Sequence, residues 1–218
     1  MTKKLPGFFA AVLFSGFASS SFGAIIANST FDTYLDGWTA ISGQTTSVSF
    51  SAPGGNPGGY VRNVDSGPTG GHISAPTKFL GDWSSLDGTG TLSWDFKLFS
   101  KGPGNIKPLR AHLFGPGGSA SFNSGVIAPV GNWITVDAAI IESQWTLVSG
   151  TWAGLLANVT SLRLAIENVS DAGLAGGGSE ITGIDNVALT AVPLPAAFWL
   201  FGAGLVTLFR FRSKTPSV

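Results

Sequence analysis

The side chains able to carry acid–base, nucleophilic or metal chemistry are few. The 218-residue chain has no cysteine and two histidines, His72 and His112. Without cysteine there is no disulfide framework, no thiolate metal site and no thiol nucleophile. Both histidines fall in predicted strand segments, on a polar face, and neither stands in a His-x-x-x-His spacing that would seat a metal. A serine triad would need one of them, and no Gly-x-Ser-x-Gly elbow is present. Glu142, Glu167 or Glu180 would have to pair with an aspartate for glycoside hydrolysis, but the twelve acids are dispersed without a supporting pattern. Gly58-Gly59 is not followed by Gly-Lys-Ser/Thr, so it is no phosphate loop. The chain reads as a non-enzyme.

What remains is chemistry of contact. Six tryptophans lie between the chain ends: Trp38, Trp83, Trp94, Trp133, Trp145 and Trp152. An indole can stack on the apolar face of a sugar or fill a protein core. Trp94 sits in an alternating apolar run and is expected in the core. Trp83 sits in the loop-like Gly81-Asp82-Trp83-Ser84-Ser85 and is the candidate carbohydrate contact, the other reading being a plug at one end of the fold. Residues 25–190 carry seven lysines and arginines against twelve acids, a net charge of −5 that the basic chain ends conceal. No basic stripe marks a nucleic-acid surface.

Thirty-one glycines and twelve prolines cut the central region into short segments. Thr91 to Phe99 puts Leu92, Trp94, Phe96 and Leu98 on one face and Ser93, Asp95 and Lys97 on the other. Ser161 to Asn168 alternates in the same way, with Leu162, Leu164 and Ile166 inward. Tyr60–Asp65, Leu109–Phe114, Trp133–Ile140 and Gly183–Thr190 are further candidates. Such period-two runs between turn clusters predict strands with one buried face. Loops are expected at 52–59, 66–71, 102–108, 115–121 and 171–179, and Trp152–Val159 is expected to form one or two helical turns. The predicted fold class is all-β, a two-sheet antiparallel sandwich.

The chain ends read as export and sorting signals. Lys3 and Lys4, the apolar Leu5–Phe17 and small residues through Ala24 form a secretory signal peptide, residues 1–24. The central domain is then 25–190 and the tail 191–218. In the tail, Val192-Pro193-Leu194-Pro195 precedes an uncharged run to Phe209, closed by Arg210, Arg212 and Lys214. That run is expected to form one transmembrane helix, although Ala196–Phe209 is only fourteen residues against the roughly 20 of a full span. In order and type these residues resemble the PEP-CTERM sorting signal of exopolysaccharide-producing Gram-negative bacteria, with Leu194 where that motif usually has glutamate. The resemblance implies processing near the Pro-x-Pro motif by an exosortase-like membrane enzyme, hence a temporary membrane anchor.

A second resemblance spans roughly Asn56 to Leu189. Ala75-Pro76-Thr77-Lys78-Phe79-Leu80-Gly81-Asp82, Gly90-Thr91-Leu92-Ser93-Trp94-Asp95-Phe96, Glu142-Ser143-Gln144-Trp145, Leu155 to Leu164 and Gly183-Ile184-Asp185-Asn186-Val187-Ala188-Leu189 resemble, in order, a laminin IV (laminin B) module. The likeness implies a galactose-binding-like jelly roll, without the cysteines of animal versions. In related jelly rolls an acid after the first strand and one in a last-strand Asp-x-Val hold a structural calcium. Asp32 and Asp185 are the matching candidates; otherwise they are a turn residue and a solvated strand acid. These readings give an expected function: a non-catalytic protein of the envelope or extracellular matrix, exported through the inner membrane, with a structural or adhesive role linked to exopolysaccharide. The alternatives are a carbohydrate-binding module with a defined glycan site and, behind it, a polysaccharide-active enzyme.

Overall fold

The computed structural model describes residues 23–44, 46–65, 70–170 and 179–192. Residues 1–22 of the signal peptide and the tail from Pro193 onward, with Leu194, Pro195, Arg210 and Arg212, lie outside the described residues. Among the described residues no helix is long and apolar enough to cross a membrane.

Twelve described strands make two antiparallel six-stranded sheets, as the alternation predicts. The first sheet runs β3 (Thr46–Ser51), β4 (Tyr60–Asp65), β12 (Glu180–Ala191), β6 (Gly90–Lys101), β9 (Trp133–Ala139), with β1 (Ala24–Ser29) also paired to β12. The second runs β10 (Trp145–Gly150), β8 (Gly118–Asn123), β7 (Arg110–Gly115), β11 (Ser161–Ala165), β5 (His72–Ser74), β2 (Thr39–Ala40). β12 is the hub of the first sheet. β4 takes the Glu180–Ile184 half of one edge, β1 takes Val187–Ala191 of the same edge, and β6 runs along the other.

The core lies between the sheets. Leu92, Trp94, Phe96 and Leu98 of β6 are fully buried and face Ala111, Leu113, Leu162 and Leu164 of the second sheet. Trp94 meets Phe122 edge-on at 6.1 Å, tying the layers together. Trp145 extends the cluster to Trp152 of α1 (Trp152–Leu156), the single helical turn within the segment expected to be helical. Thr151 caps that turn by accepting the Gly154 N–H at 3.1 Å.

Two expectations fail here. The stretch 115–121 is not all loop, because Gly118–Asn123 forms β8 with Ala120 and Phe122 turned inward. Two small residues and one ring give too faint an alternation to stand out beside glycine-rich neighbours. Trp83 is not available as a carbohydrate contact: it is 2 % exposed, and its indole N–H donates to the Phe79 carbonyl at 3.1 Å. It packs into the core beside the short helical turn Ser84–Leu86, so the plug reading holds.

Candidate functional site

Two faces of the sandwich gather polar side chains, and they differ in how they are used. On the outward side of the first sheet the shared edge of β12 has a gap between the end of β4 and the start of β1. Asp185 and Asn186 occupy it, with Asn186 at φ 47° where the β12–β6 register shifts. Loop 52–59 folds over this gap. Asp185 Oδ2 accepts the Asn56 backbone N–H at 2.6 Å, and Asp95, its cross-strand partner, accepts from the side chains of Asn56, Asn186 and Thr135.

The approach leaves no room for a side chain at Gly55 or Gly58 of the loop. A Cβ on Gly55 would stand 2.7 Å from Asp185 Oδ2 and collide with the Gly59 carbonyl, and one on Gly58 would strike Asp32 Oδ1. The result is a fully buried Asp185 facing the charges of both Asp95 and Asp32. Burial, with those two charges adding to it, pushes its pKa up to about 6, against the pull of the Asn56 and Asn186 N–H bonds. Asp32 and Asp185 are thus brought into one neighbourhood, and a third acid, Asp95, joins them.

This neighbourhood fits a calcium ion in its donor chemistry: hard oxygen ligands at a loop-to-strand junction, and like charges that repel unless a cation or proton intervenes. Among the described residues no three His, Cys, Asp or Glu side chains form a metal cluster by themselves. Backbone carbonyls such as that of Phe31, which lies against Gly59, and that of Gly59, which lies against Gly55, would have to complete the shell. The same face carries Tyr60, Phe99 and Trp133 packed ring to ring at 5.1–6.0 Å over Gly183, with Lys97 above two of them. Trp133 also donates to the Gly54 carbonyl at 3.2 Å. These rings spend their faces on one another and on the loop, so the cluster clamps the loop to the sheet.

The outward face of the second sheet is built differently. Arg110, His112 and Phe114 of β7 all point away from the core, because Ala111 and Leu113 point into it. Arg163 on β11 is the register partner of His112 on one side and of Ser74 on the other. Ser121 of β8 continues the row beyond His112. The Arg163 guanidinium lies over the Phe114 ring, 4.5 Å from its centroid, a cation–π contact that restrains it against the sheet. His72 and His112 meet edge-on at 5.1 Å, and Gln44 reaches His72 Nδ1 at 3.5 Å while accepting the His72 backbone N–H at 2.7 Å.

Burial, with His112 and the two arginines behind it, pulls the His72 pKa down to about 4; burial and the same arginines also lower His112. Both imidazoles are therefore neutral at pH 7, each with one donor and one acceptor. His112 Nε2 and Arg110 Nε are shielded from solvent and make no hydrogen bond. Arg110, His112, Phe114 and Arg163 are themselves half-buried, so the face presents flat groups with polar edges, as a hydroxyl-rich ligand requires. Among the described residues neither histidine of this face is hydrogen-bonded to a serine or threonine hydroxyl.

The sequence singles out both histidines but not their company. Arg110, His112 and Phe114 share the parity of one strand, a pattern that was readable. The pairing of that strand with β11 and β5, which adds Arg163 and His72, depends on topology. Two hollows lie elsewhere: one of about 380 Å³ beside Glu180, bordered by Val64, Lys101 and Ile181, and one of about 200 Å³ beside Asp32 and Tyr34.

No protein-family model matches this chain, and no curated protein matches it. Solved structures do. The N-terminal CBM22-1-CBM22-2 tandem domain of Paenibacillus barcinonensis Xyn10C is similar at TM-score 0.53 and 14 % identity over 85 % of this chain, which spans only 53 % of that one. The family 11 carbohydrate-binding module of Clostridium thermocellum, solved with a β-1,3-1,4-mixed-linked tetrasaccharide, is similar at TM-score 0.51 and 21 % identity, covering 80 % of this chain and 99 % of that one. The L4b domain of human laminin alpha-2 is similar at TM-score 0.45 and 11 % identity over 71 % of this chain and 96 % of its own, and nothing further rests on it. At these identities the likeness establishes a β-sandwich of the jelly-roll kind found in carbohydrate-binding modules.

Proposed function

We propose that this chain is a non-catalytic, exported carbohydrate-binding protein that holds polysaccharide on the outward face of the second sheet. The observation that carries the reading is the cross-strand set Arg110, His112, Phe114, Arg163 and His72, whose polar groups serve no packing role on the core side. Neutral imidazoles and guanidinium groups hydrogen-bond to sugar hydroxyls, and Phe114 supplies a ring edge beside them. The fold shared with carbohydrate-binding modules supports this alternative over a purely structural role. An adhesive function linked to exopolysaccharide is what such binding would serve in the cell.

Two further parts of the proposal concern retention and stability. The tail from Val192 through Arg210 and Arg212 acts as a membrane-directed sorting signal processed by an exosortase-like enzyme. The mature mass in membrane and medium fractions of the native host tests this, and an uncut, soluble full-length chain would refute it. The Asp32–Asp95–Asp185 neighbourhood holds a structural calcium that pins loop 52–59.

A glycan array probed with the full chain tests the binding function. Retention on a defined set of polysaccharides is expected, with loss in His112→Ala and Phe114→Ala at unchanged melting temperature. An array without any retained glycan, or binding indifferent to both substitutions, would overturn the assignment.

A further inference from the structure

The same face carries an electrostatic signature that narrows the ligand. The central domain is acidic overall, at −5 over residues 25–190. Among the described residues the ion pairs are Lys78 with Asp36 and Lys107 with Glu167. Arg110 and Arg163 are in neither. The charged groups that act on His72 are His112, Arg110 and Arg163, and those that act on His112 are the same two arginines. No carboxylate is among them.

The neighbouring positions are polar but uncharged: Ser74, Ser119, Ser121, Asn123 and Gln44. Among the described residues, two guanidinium groups thus share one sheet face with no carboxylate paired to either, in a domain with acids to spare. Arg163 is held by the Phe114 ring, 4.5 Å from its centroid, and by a bond from its Nε to Ser161 Oγ at 3.4 Å, which restrict the side chain while its terminal nitrogens are in no ion pair among the described residues. Arg110 is half-buried beside Asn123, its register partner on β8, and is in no ion pair among the described residues. A guanidinium presents a planar fork that matches a carboxylate bidentately, and desolvated neighbours strengthen that match. A face evolved only for neutral sugar would gain nothing from leaving both cations uncompensated.

We propose that the ligand is an acidic polysaccharide, a chain whose sugars carry carboxylates, and that Arg110 and Arg163 receive those carboxylates while His72 and His112 bond to neighbouring hydroxyls. This rests on the carbohydrate-binding reading of the same face and goes beyond it in naming the charge class of the ligand. Repulsion by the acidic remainder of the domain makes the arginine pair the point of entry. Binding should therefore weaken with added salt, as exposed charge contacts do.

The test compares one polymer in two forms. Polygalacturonate and its carboxyl-reduced, neutral counterpart are titrated against the full chain by calorimetry, with mixed-linked β-glucan as a neutral chain of different backbone. Binding to polygalacturonate, at least tenfold weaker binding to the reduced polymer, and a fall in affinity with salt are expected. Arg110→Gln and Arg163→Gln should each weaken acid-polymer binding by roughly ten- to a hundredfold, the scale of one charge-assisted contact. Arg163→Lys should lie between, because it keeps the charge and loses the fork. Lys97→Gln, on the opposite sheet, should change nothing. Variants are compared at matched melting temperatures, and Arg163→Lys serves if a Gln variant fails to fold. Equal affinity for the two polymer forms, or binding to the neutral chains alone, would overturn the charge assignment and leave the carbohydrate-binding reading standing. Absence of binding to any of the three polymers here and to every glycan on the array would overturn both.

Discussion

Glu180 opens β12 with 2 % of its surface exposed, in the company of Glu167 and Asp65. Its Oε1 accepts the Asn168 backbone N–H at 2.7 Å, and its Oε2 is buried without a partner. Lys107 is paired to Glu167 at 2.9 Å. Burial, with the Glu167 and Asp65 charges adding, pushes the Glu180 pKa from 4.5 up to about 8, despite the Asn168 and Val169 N–H groups that favour the anion. The folded chain therefore keeps a proton that the unfolded chain releases. Stability from this group is fully present below pH 4.5 and declines as pH rises toward 8, where the folded form also ionises. At about 1.4 kcal/mol per pH unit across that window, the loss is about 4 kcal/mol from pH 5 to 8.5, of which about 1 kcal/mol falls above pH 7. Glu180→Gln cannot ionise, yet its amide oxygen can still accept from Asn168. Urea melts of both proteins at pH 5, 7 and 8.5 should show stability curves that diverge with rising pH, the variant gaining on the parent by those amounts. Parallel curves would mean that Glu180 is ionised in the fold at neutral pH and that the burial argument is wrong.

Trp94→Ala should cost about 3–5 kcal/mol in a denaturant melt, since the ring is fully buried between the sheets against Phe122. Trp94→Phe should cost far less, because the buried indole N–H has no hydrogen-bond partner to lose; a larger loss for Phe than for Ala would refute the assignment. For calcium, the melting temperature should rise with added ion and fall back in chelator. The effect, about 2.7 kcal/mol at a hundredfold excess over the dissociation constant, should vanish in Asp185→Asn. Because the Asp185 pKa is raised to about 6, the calcium gain should fade as pH drops through that value, where protons displace the ion. Identical melts in calcium and chelator would remove the ion from the account.

Legibility in the sequence followed the strength of the local pattern. β6 could be read residue by residue, because Leu92, Trp94, Phe96 and Leu98 alternate with polar neighbours and no turn residue interrupts them. β9 was readable for the same reason, with Ile134, Val136 and Ala138 alternating with Thr135 and Asp137, whereas β4 turns Asn63 and Asp65 inward beside Val61 and shows no clean alternation. β8 was lost in its glycines, and β2 is two residues long, too short for any period. The Asp32–Asp185 neighbourhood came from a resemblance, and the part of Asp95 in it was hidden by the alternation rule, which marks it as a solvated acid. A loop lying over the sheet buries Asp95 to 5 % exposure, and no strand pattern reports what a distant loop will cover. Trp83 shows the converse: its glycine- and serine-rich surroundings look exposed, yet the neighbouring helical turns fold its ring inward. The arginine–histidine face depends on β7, β11 and β5 lying side by side, which is a matter of sheet order.

β12 has a mechanical meaning. Its last residue, Ala191, is where the tail joins the domain, and the strand is held along its length by β1, β4 and β6, all antiparallel to it. Tension applied at Ala191 along the strand loads those ladders together in shear, instead of peeling them open one bond at a time. If the tail anchors the chain and polymer is gripped on the far sheet, as proposed, the load path would run from β12 into β6, across the Trp94–Phe122 contact, and into β8 and β7. A tether ending in the middle strand of a sheet resists being pulled out in a way that one ending at an edge strand does not.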